Sequence, residues 1–345
     1  MNIITKRYCF GLAAAVAIAL TGCGGSGSDP LQEGMGVFNL SVSDAGIKDA
    51  AKVCIKFDGI QLKKADEEAP IDIVFDDPDD PDDPEFVIVN LLDNQGANSQ
   101  LITSAEVPAG NYEWIRLMVD AAKGNNAGSL DTDQNDPACL ADDGSYLLTE
   151  TGMHYSLFIP SGEQSGLKLI KDITIPVNAS SNYTAEWDLG KSFIAPPGLY
   201  PDAIMKPVVK LVANNEVGTL VGQVADELVE ADTCDVEFAP KVYVFDDGVE
   251  PNPINYPPED PEATFDPDPN DPVATGLVER QEQTDGSMPY RYSIGFLLAG
   301  DNGNYEAAFT CDGLTFVPEL GKEAKIDVGE VEEVNFDVDD LPPPL

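Results

Sequence analysis

Lys52-Val53-Cys54-Ile55-Lys56-Phe57 alternates charged or polar side chains with β-branched and aromatic ones. Successive side chains of a strand point to opposite faces, so this hexapeptide reads as a half-buried β-strand. Val53, Ile55 and Phe57 take the inner face, and Lys52, Cys54 and Lys56 the polar one. The chain around it has the same character. Val37-Phe38-Asn39-Leu40-Ser41-Val42 and Phe86-Val87-Ile88-Val89 read as strands. Tyr112, Trp114, Ile115, Leu117 and Val119 come after the turn Pro108-Ala109-Gly110-Asn111. Further strands are expected over 155–159, 167–175, 183–189 and 205–212. A second series covers 218–224, 241–245, 290–297, 304–311, 324–328 and 334–338. Gly, Pro, Asn and Asp punctuate these segments, and no long amphipathic helix separates them. The expected fold is all-β: two consecutive immunoglobulin-like or prealbumin-like β-sandwich domains.

The 345 residues suffice for two cores of ordinary size. The short join Asn214-Asn215-Glu216 places the domains at 35–215 and 216–340, with a loose tail at 341–345. Two insertions share a composition rich in Asp, Glu and Pro, one at 76–85 and one at 251–272. Proline removes ladder donors and like charges repel, so both read as extended, solvated loops.

The amino terminus carries Lys6 and Arg7, an apolar run over 10–20, and Leu20-Thr21-Gly22-Cys23. The run is too short to span a bilayer, which takes about 20 apolar residues. It has the plan of a secretory signal over 1–22. A cysteine in the first mature position resembles the bacterial lipobox, in which that thiol receives the lipid. Cys23 is the expected lipidation site, and the Gly/Ser stretch within 23–34 is a flexible tether. Gly24 stands where an Asp would favour inner-membrane retention, so the expected address is the outer membrane.

Asp and Glu number 62 against 19 Lys and Arg, a formal charge of −43. That field repels nucleic acid and anionic lipid surfaces. Removing Cys9 with the signal and lipidating Cys23 leaves four cysteines, an even number in an exported chain. Four cysteines allow three connectivities. Two fall in each expected domain, which favours Cys54–Cys139 and Cys234–Cys311, with buried free thiols as the alternative.

Signatures of catalysis are absent from the sequence: no H-E-x-x-H, G-x-S-x-G or Walker A occurs. His154 is the single histidine, too few for a two-histidine metal site, and reads as structural. One stretch has ligand spacing. Asp131, Asp133 and Asn135 occupy positions 1, 3 and 5 of a loop whose position 12 is Asp142. That resembles a calcium loop, but Asp136 replaces the Gly at position 6 and Pro137 comes next. A solvated loop beside Cys139 is the competing reading. Trp114 and Trp187 both stand in alternating strands and read as core rather than as a sugar platform.

Several segments belong together: Leu40-Ser41-Val42-Ser43-Asp44-Ala45 with Asp49-Ala50, Phe57 to Leu62, and Pro108 to Tyr112 with Ile115-Arg116-Leu117. The most specific is 159–169, and Trp187-Asp188-Leu189-Gly190-Lys191-Ser192 completes the set over about 35–213. Together they resemble the DUF4382 family of bacterial lipoprotein domains. The resemblance implies a β-sandwich at the cell envelope and carries over no activity. Residues 218–224, 242–245 and 296–309 resemble a carboxypeptidase-regulatory-like or transthyretin-like sandwich. The expected function is that of a non-enzymatic envelope lipoprotein with a binding or structural role. The alternative is a carbohydrate-binding or adhesion module with a polysaccharide or envelope-protein partner, with Ca²⁺ the one cofactor considered.

Overall fold

A computed structural model of the chain describes residues 34–47, 50–75, 86–124, 129–130, 138–140, 144–160, 166–193, 202–231, 234, 239–252, 268 and 270–341. Cys23, its tether, and the two acidic Pro-rich insertions lie outside these residues, apart from a few at the margins of the second insertion. Among the described residues the architecture is β, with only single helical turns.

The first half builds β1 (Met35–Ala45), β2 (Ala50–Lys64), β3 (Ile71–Val74), β4 (Val87–Asn90), β5 (Gln100–Pro108) and β6 (Gly110–Val119). It continues through β7 (Ser129–Leu130), β8 (Tyr146–Thr149), β9 (Met153–Phe158), β10 (Leu167–Ile175), β11 (Ser180–Asp188), β12 (Ala203–Ile204) and β13 (Val209–Ala213). One sheet runs β13-β11-β1-β5. The larger sheet runs β10-β6-β2-β8-β9-β12, with β3 and β4 both added to the long strand β2. Phe38, Leu40 and Val42 from the first sheet meet Ile55, Phe57, Leu62, Ile115 and Leu117 from the second in one buried core. Tyr112 tightens the β5–β6 turn by donating its hydroxyl to the Pro108 carbonyl at 2.5 Å.

The second half builds β14 (Val217–Val224), β15 (Lys241–Asp246), β16 (Ala274–Leu277), β17 (Glu279–Arg280), β18 (Tyr290–Leu298), β19 (Asn304–Thr310), β20 (Val317–Lys325) and β21 (Val331–Glu333). Its sheets run β17-β18-β14-β21 and β16-β15-β19-β20. They enclose a separate core containing Leu220, Val242, Val244, Tyr292, Ile294, Phe309 and Phe336.

The last two strands differ from expectation. The strands sought at 324–328 and 334–338 lie at Val317–Lys325 and Val331–Glu333. A turn separates them: Glu330 N–H donates to the Asp327 carbonyl, and Gly329 sits at φ 71°. A φ of that sign suits glycine and ends a strand.

Candidate functional site

Both expected disulfides are present. Cys54 and Cys139 are joined across a Cα separation of 6.0 Å, and Cys234 and Cys311 across 4.8 Å. Cys54 does leave the main core, as alternation requires, yet it is not solvated. It is fully buried beside Tyr146 and Leu148, under Cys139 and Leu140. Segment 138–140 is pinned over that outer face. Lys52 donates to the Ala138 carbonyl at 2.9 Å, and Leu140 N–H donates to the Tyr146 hydroxyl at 2.9 Å. His154 is buried against the same tyrosine, with ring centroids 4.6 Å apart. This arrangement is structural. The calcium-loop residues Asp131, Asp133, Asn135 and Asp142 lie outside the described residues, as does Cys23. Among the described residues, no group of three or more His, Cys, Asp or Glu is placed to hold a metal.

Two arrangements gather functional side chains. The first is a cleft of about 470 Å³ between the sandwiches, with Lys171, Glu186, Asp188, Lys191, Lys210 and Tyr305 in its wall. Sequence-distant segments build it. Asp44 on β1 pairs with Trp187 on β11, and its Oδ1 accepts a hydrogen bond from Leu189 N–H at 3.3 Å. Asp188 then caps the helical turn Leu189–Ser192 by accepting from Lys191 N–H at 3.0 Å. That cap aims the Lys191 ammonium at the Pro272 carbonyl of the second sandwich. Lys210 does the same toward the Val273 carbonyl at 3.4 Å. Lys171 and Glu216 add an ion pair at 3.6 Å.

Charge inside this seam is perturbed by burial. The Glu186 carboxyl is pushed above its usual range by desolvation, and Lys210 pulls back against that. Desolvation lowers the Lys241 ammonium, and the nearby Asp188 opposes the shift. The Tyr305 hydroxyl is pushed up to about 12, first by burial and then by the charges of Asp246 and Glu186. Beside the cleft, Val212, Val217 and Phe296 close a small apolar cluster over the join. Phe296 holds φ 56°, costly for a bulky residue and maintained by its burial in that cluster. The cations here are matched by carboxylates, so the seam locks two bodies together.

The second arrangement is the outer face of the larger sheet. Alternation places Tyr112 and Trp114 on one face, in the core. Only Tyr112 is there. On β2 the adjacent residues Lys63 and Lys64 pair with Trp114 and Tyr112, leaving Glu113 as an extra residue in β6. Such a bulge reverses the facing of the residues beyond it. Tyr112 and Ile115 point inward, and Trp114 turns to the outer face, where it is partly exposed. Trp187, by contrast, is fully buried as expected.

Around Trp114 runs a row of side chains crossing four strands. The Arg116 guanidinium lies 5.0 Å from the indole centre and the Lys168 ammonium 4.7 Å. Arg116 Nη1 donates to Gln61 Oε1 at 3.0 Å, and Gln61 Nε2 donates to Asp72 Oδ1 at 2.7 Å. Ile170, directly opposite Trp114 on β10, is 80% exposed. The bulge hides this row from a period-2 reading. Its sequence trace is the presence of Trp114 and Ile115 as adjacent large apolar residues.

A family described as "Domain of unknown function (DUF4382)" matches residues 35–207. None of the curated proteins matches the chain. Among solved structures, a candidate cell adhesion protein from Bacteroides fragilis is 12% identical, with 86% of this chain and 91% of that chain covered and a TM-score of 0.21. A candidate adhesin from Bacteroides ovatus is 8% identical over 95% of this chain and 99% of its own, with a TM-score of 0.18. The minor pilin of Streptococcus agalactiae is 9% identical over 89% and 98%, with a TM-score of 0.17.

Proposed function

The chain belongs to the DUF4382 family, and from that premise we propose that it is a non-enzymatic lipoprotein of the outer membrane, held by a lipid on Cys23 and serving in binding or envelope structure. The observation that carries the reading is the pair of disulfides, one within each sandwich. Disulfides of this kind form and persist in oxidising compartments outside the cytosol. The signal-like amino terminus and Cys23 agree with that placement. Residues 35–215 and 216–340 act as two sandwich modules fastened by the Lys191, Lys210 and Phe296 contacts. Dual or triple acylation supports stable anchoring where a single chain is marginal. The Gly/Ser tether after Cys23 holds a strongly acidic body off the membrane surface.

Palmitate labelling and membrane fractionation of wild type and Cys23→Ser test the reading. Label on wild type in the outer-membrane fraction, lost in the variant, is expected. Equal labelling of both would overturn it.

A further inference from the structure

The row around Trp114 points to a ligand that the seam between the sandwiches does not. We infer that this outer sheet face binds an acidic polysaccharide, the Trp114 indole lying against a sugar ring and Arg116 and Lys168 engaging carboxylates on the polymer. The inference rests on the envelope reading above for its biological setting and on geometry for its chemistry.

Charge complementarity is the first argument. The chain holds 19 basic residues against 62 acidic ones, yet Arg116 and Lys168 meet beside one indole on one face. The occupant is therefore anionic. Two cations already within 5.0 Å of the ring are placed to pair with charge beside a stacked group.

Shape is the second argument. Asp72, Gln61, Arg116 and Lys168 stand on β3, β2, β6 and β10, four neighbouring strands. Three inter-strand spacings of about 4.8 Å give a track roughly 14 Å long, suited to a short run of an extended polymer. The Asp72–Gln61–Arg116 hydrogen-bond chain fixes donors and acceptors along it before anything binds. Trp114 and Ile170 supply an adjacent apolar surface.

Asp72 selects among anions. A carboxylate at one end of the track accepts from sugar hydroxyls, but it repels a chain whose charges are packed closely along its length. Nucleic acid carries about one charge per 1.7 Å and meets the full repulsion of the acidic body. An acidic sugar carries a single charge per ring, with hydroxyls between. Long-range repulsion fades beyond about 8 Å at physiological salt, leaving the local contacts to decide. The acidic stretch 76–85 of a second copy is a competing anion, disfavoured by the same carboxylate.

Isothermal titration of the full chain in detergent micelles, lipidated or not, tests this, with oligogalacturonate as the acidic probe and dextran as the neutral one. Oligogalacturonate should bind and dextran should not. Trp114→Ala, and Arg116→Gln with Lys168→Gln, should each weaken binding at least about tenfold, while Trp114→Phe retains most of it. Thermal melts accompany each variant, and Trp114→Phe keeps the test valid should Trp114→Ala unfold. Absence of heat with oligogalacturonate, equal binding of dextran, or tighter binding of a synthetic 76–85 peptide would overturn the inference. Micelle titration does not depend on cellular address, so binding without membrane fractionation defeats only the envelope reading, and fractionation without binding defeats only this one.

Discussion

The Lys210 ammonium lies 3.0 Å from the buried carboxylate of Glu186, and it also reaches the Val273 carbonyl in the second sandwich. One side chain thus neutralises a buried charge in one half and ties down the backbone of the other. Removing one partner of such a pair leaves the other desolvated and uncompensated. Lys210→Met should cost about 1–3 kcal/mol by denaturant unfolding, the ammonium's partial exposure keeping the loss below that of a fully buried pair. A variant as stable as wild type would show that the pair is incidental.

Glu186 also sets a pH dependence. Burial raises its folded-state carboxyl above the ordinary 4.5, so this group holds its proton more tightly in the fold than in the unfolded chain. Stability from this group is full below 4.5 and falls as pH rises through the raised value. Glu186→Gln should flatten that limb of the melting-temperature profile above pH 4.5. A profile still parallel to wild type would assign the dependence to other carboxylates.

The disulfides close segments with sequence separations of 85 and 77 residues. The chain-entropy account gives about 4–5 kcal/mol for loops of that length, with measured losses commonly about 2–5 kcal/mol. Cys54→Ser with Cys139→Ser, and Cys234→Ser with Cys311→Ser, should each lower stability by that order in guanidinium. Reduction of wild type should reproduce the combined loss. A reductant-insensitive transition would contradict this.

Two tryptophans make fluorescence decisive. Trp187 is fully buried in the first core and Trp114 is partly exposed beside two cations. In Trp114→Phe the remaining emission should be blue-shifted and resist acrylamide. In Trp187→Phe it should be quenched readily. Trp187→Ala should cost about 3–5 kcal/mol, and Trp114→Ala far less. Equal quenching of the two single-tryptophan proteins would place Trp114 back in the core.

Gly295 lies against the first sandwich. A Cβ there would sit 2.5 Å from the Gly96 carbonyl oxygen and 2.7 Å from the Ala97 Cα. Backbone cannot yield as a side-chain tip can, so Gly295→Ala should force the β18 seam open at about 1–3 kcal/mol. Calorimetry should then resolve the two halves into separate transitions. A single unshifted peak would show that this contact does not couple them.

Much of the fold is legible because apolar alternation is local. Phe38, Leu40 and Val42 announce β1, and Tyr305, Ala307 and Phe309 announce β19, all buried as patterned. The strands Ile71–Val74, Gln100–Pro108, Tyr146–Thr149 and Ala274–Leu277 escape a reading by pattern. Gln100–Pro108 shows why: Leu101 is exposed and Ile102 buried, and neighbouring β1 carries a register shift at Leu40/Ser41. Alternation puts Cys54 on the correct side of its strand, but what covers that side comes from residues 138–140, far along the chain.

The sequence by itself determined the β character, the two apolar series and the acidic surface, since each comes from composition or from spacing within a few residues, and it favoured one cysteine pairing of three. Tertiary structure alone decided that β1 lies parallel to β11, that Glu186 is buried with Lys210 at the seam, and that Trp114 faces outward. Those outcomes depend on register between strands far apart in sequence. A single extra residue, Glu113, reverses a face that local periodicity assigns to the core.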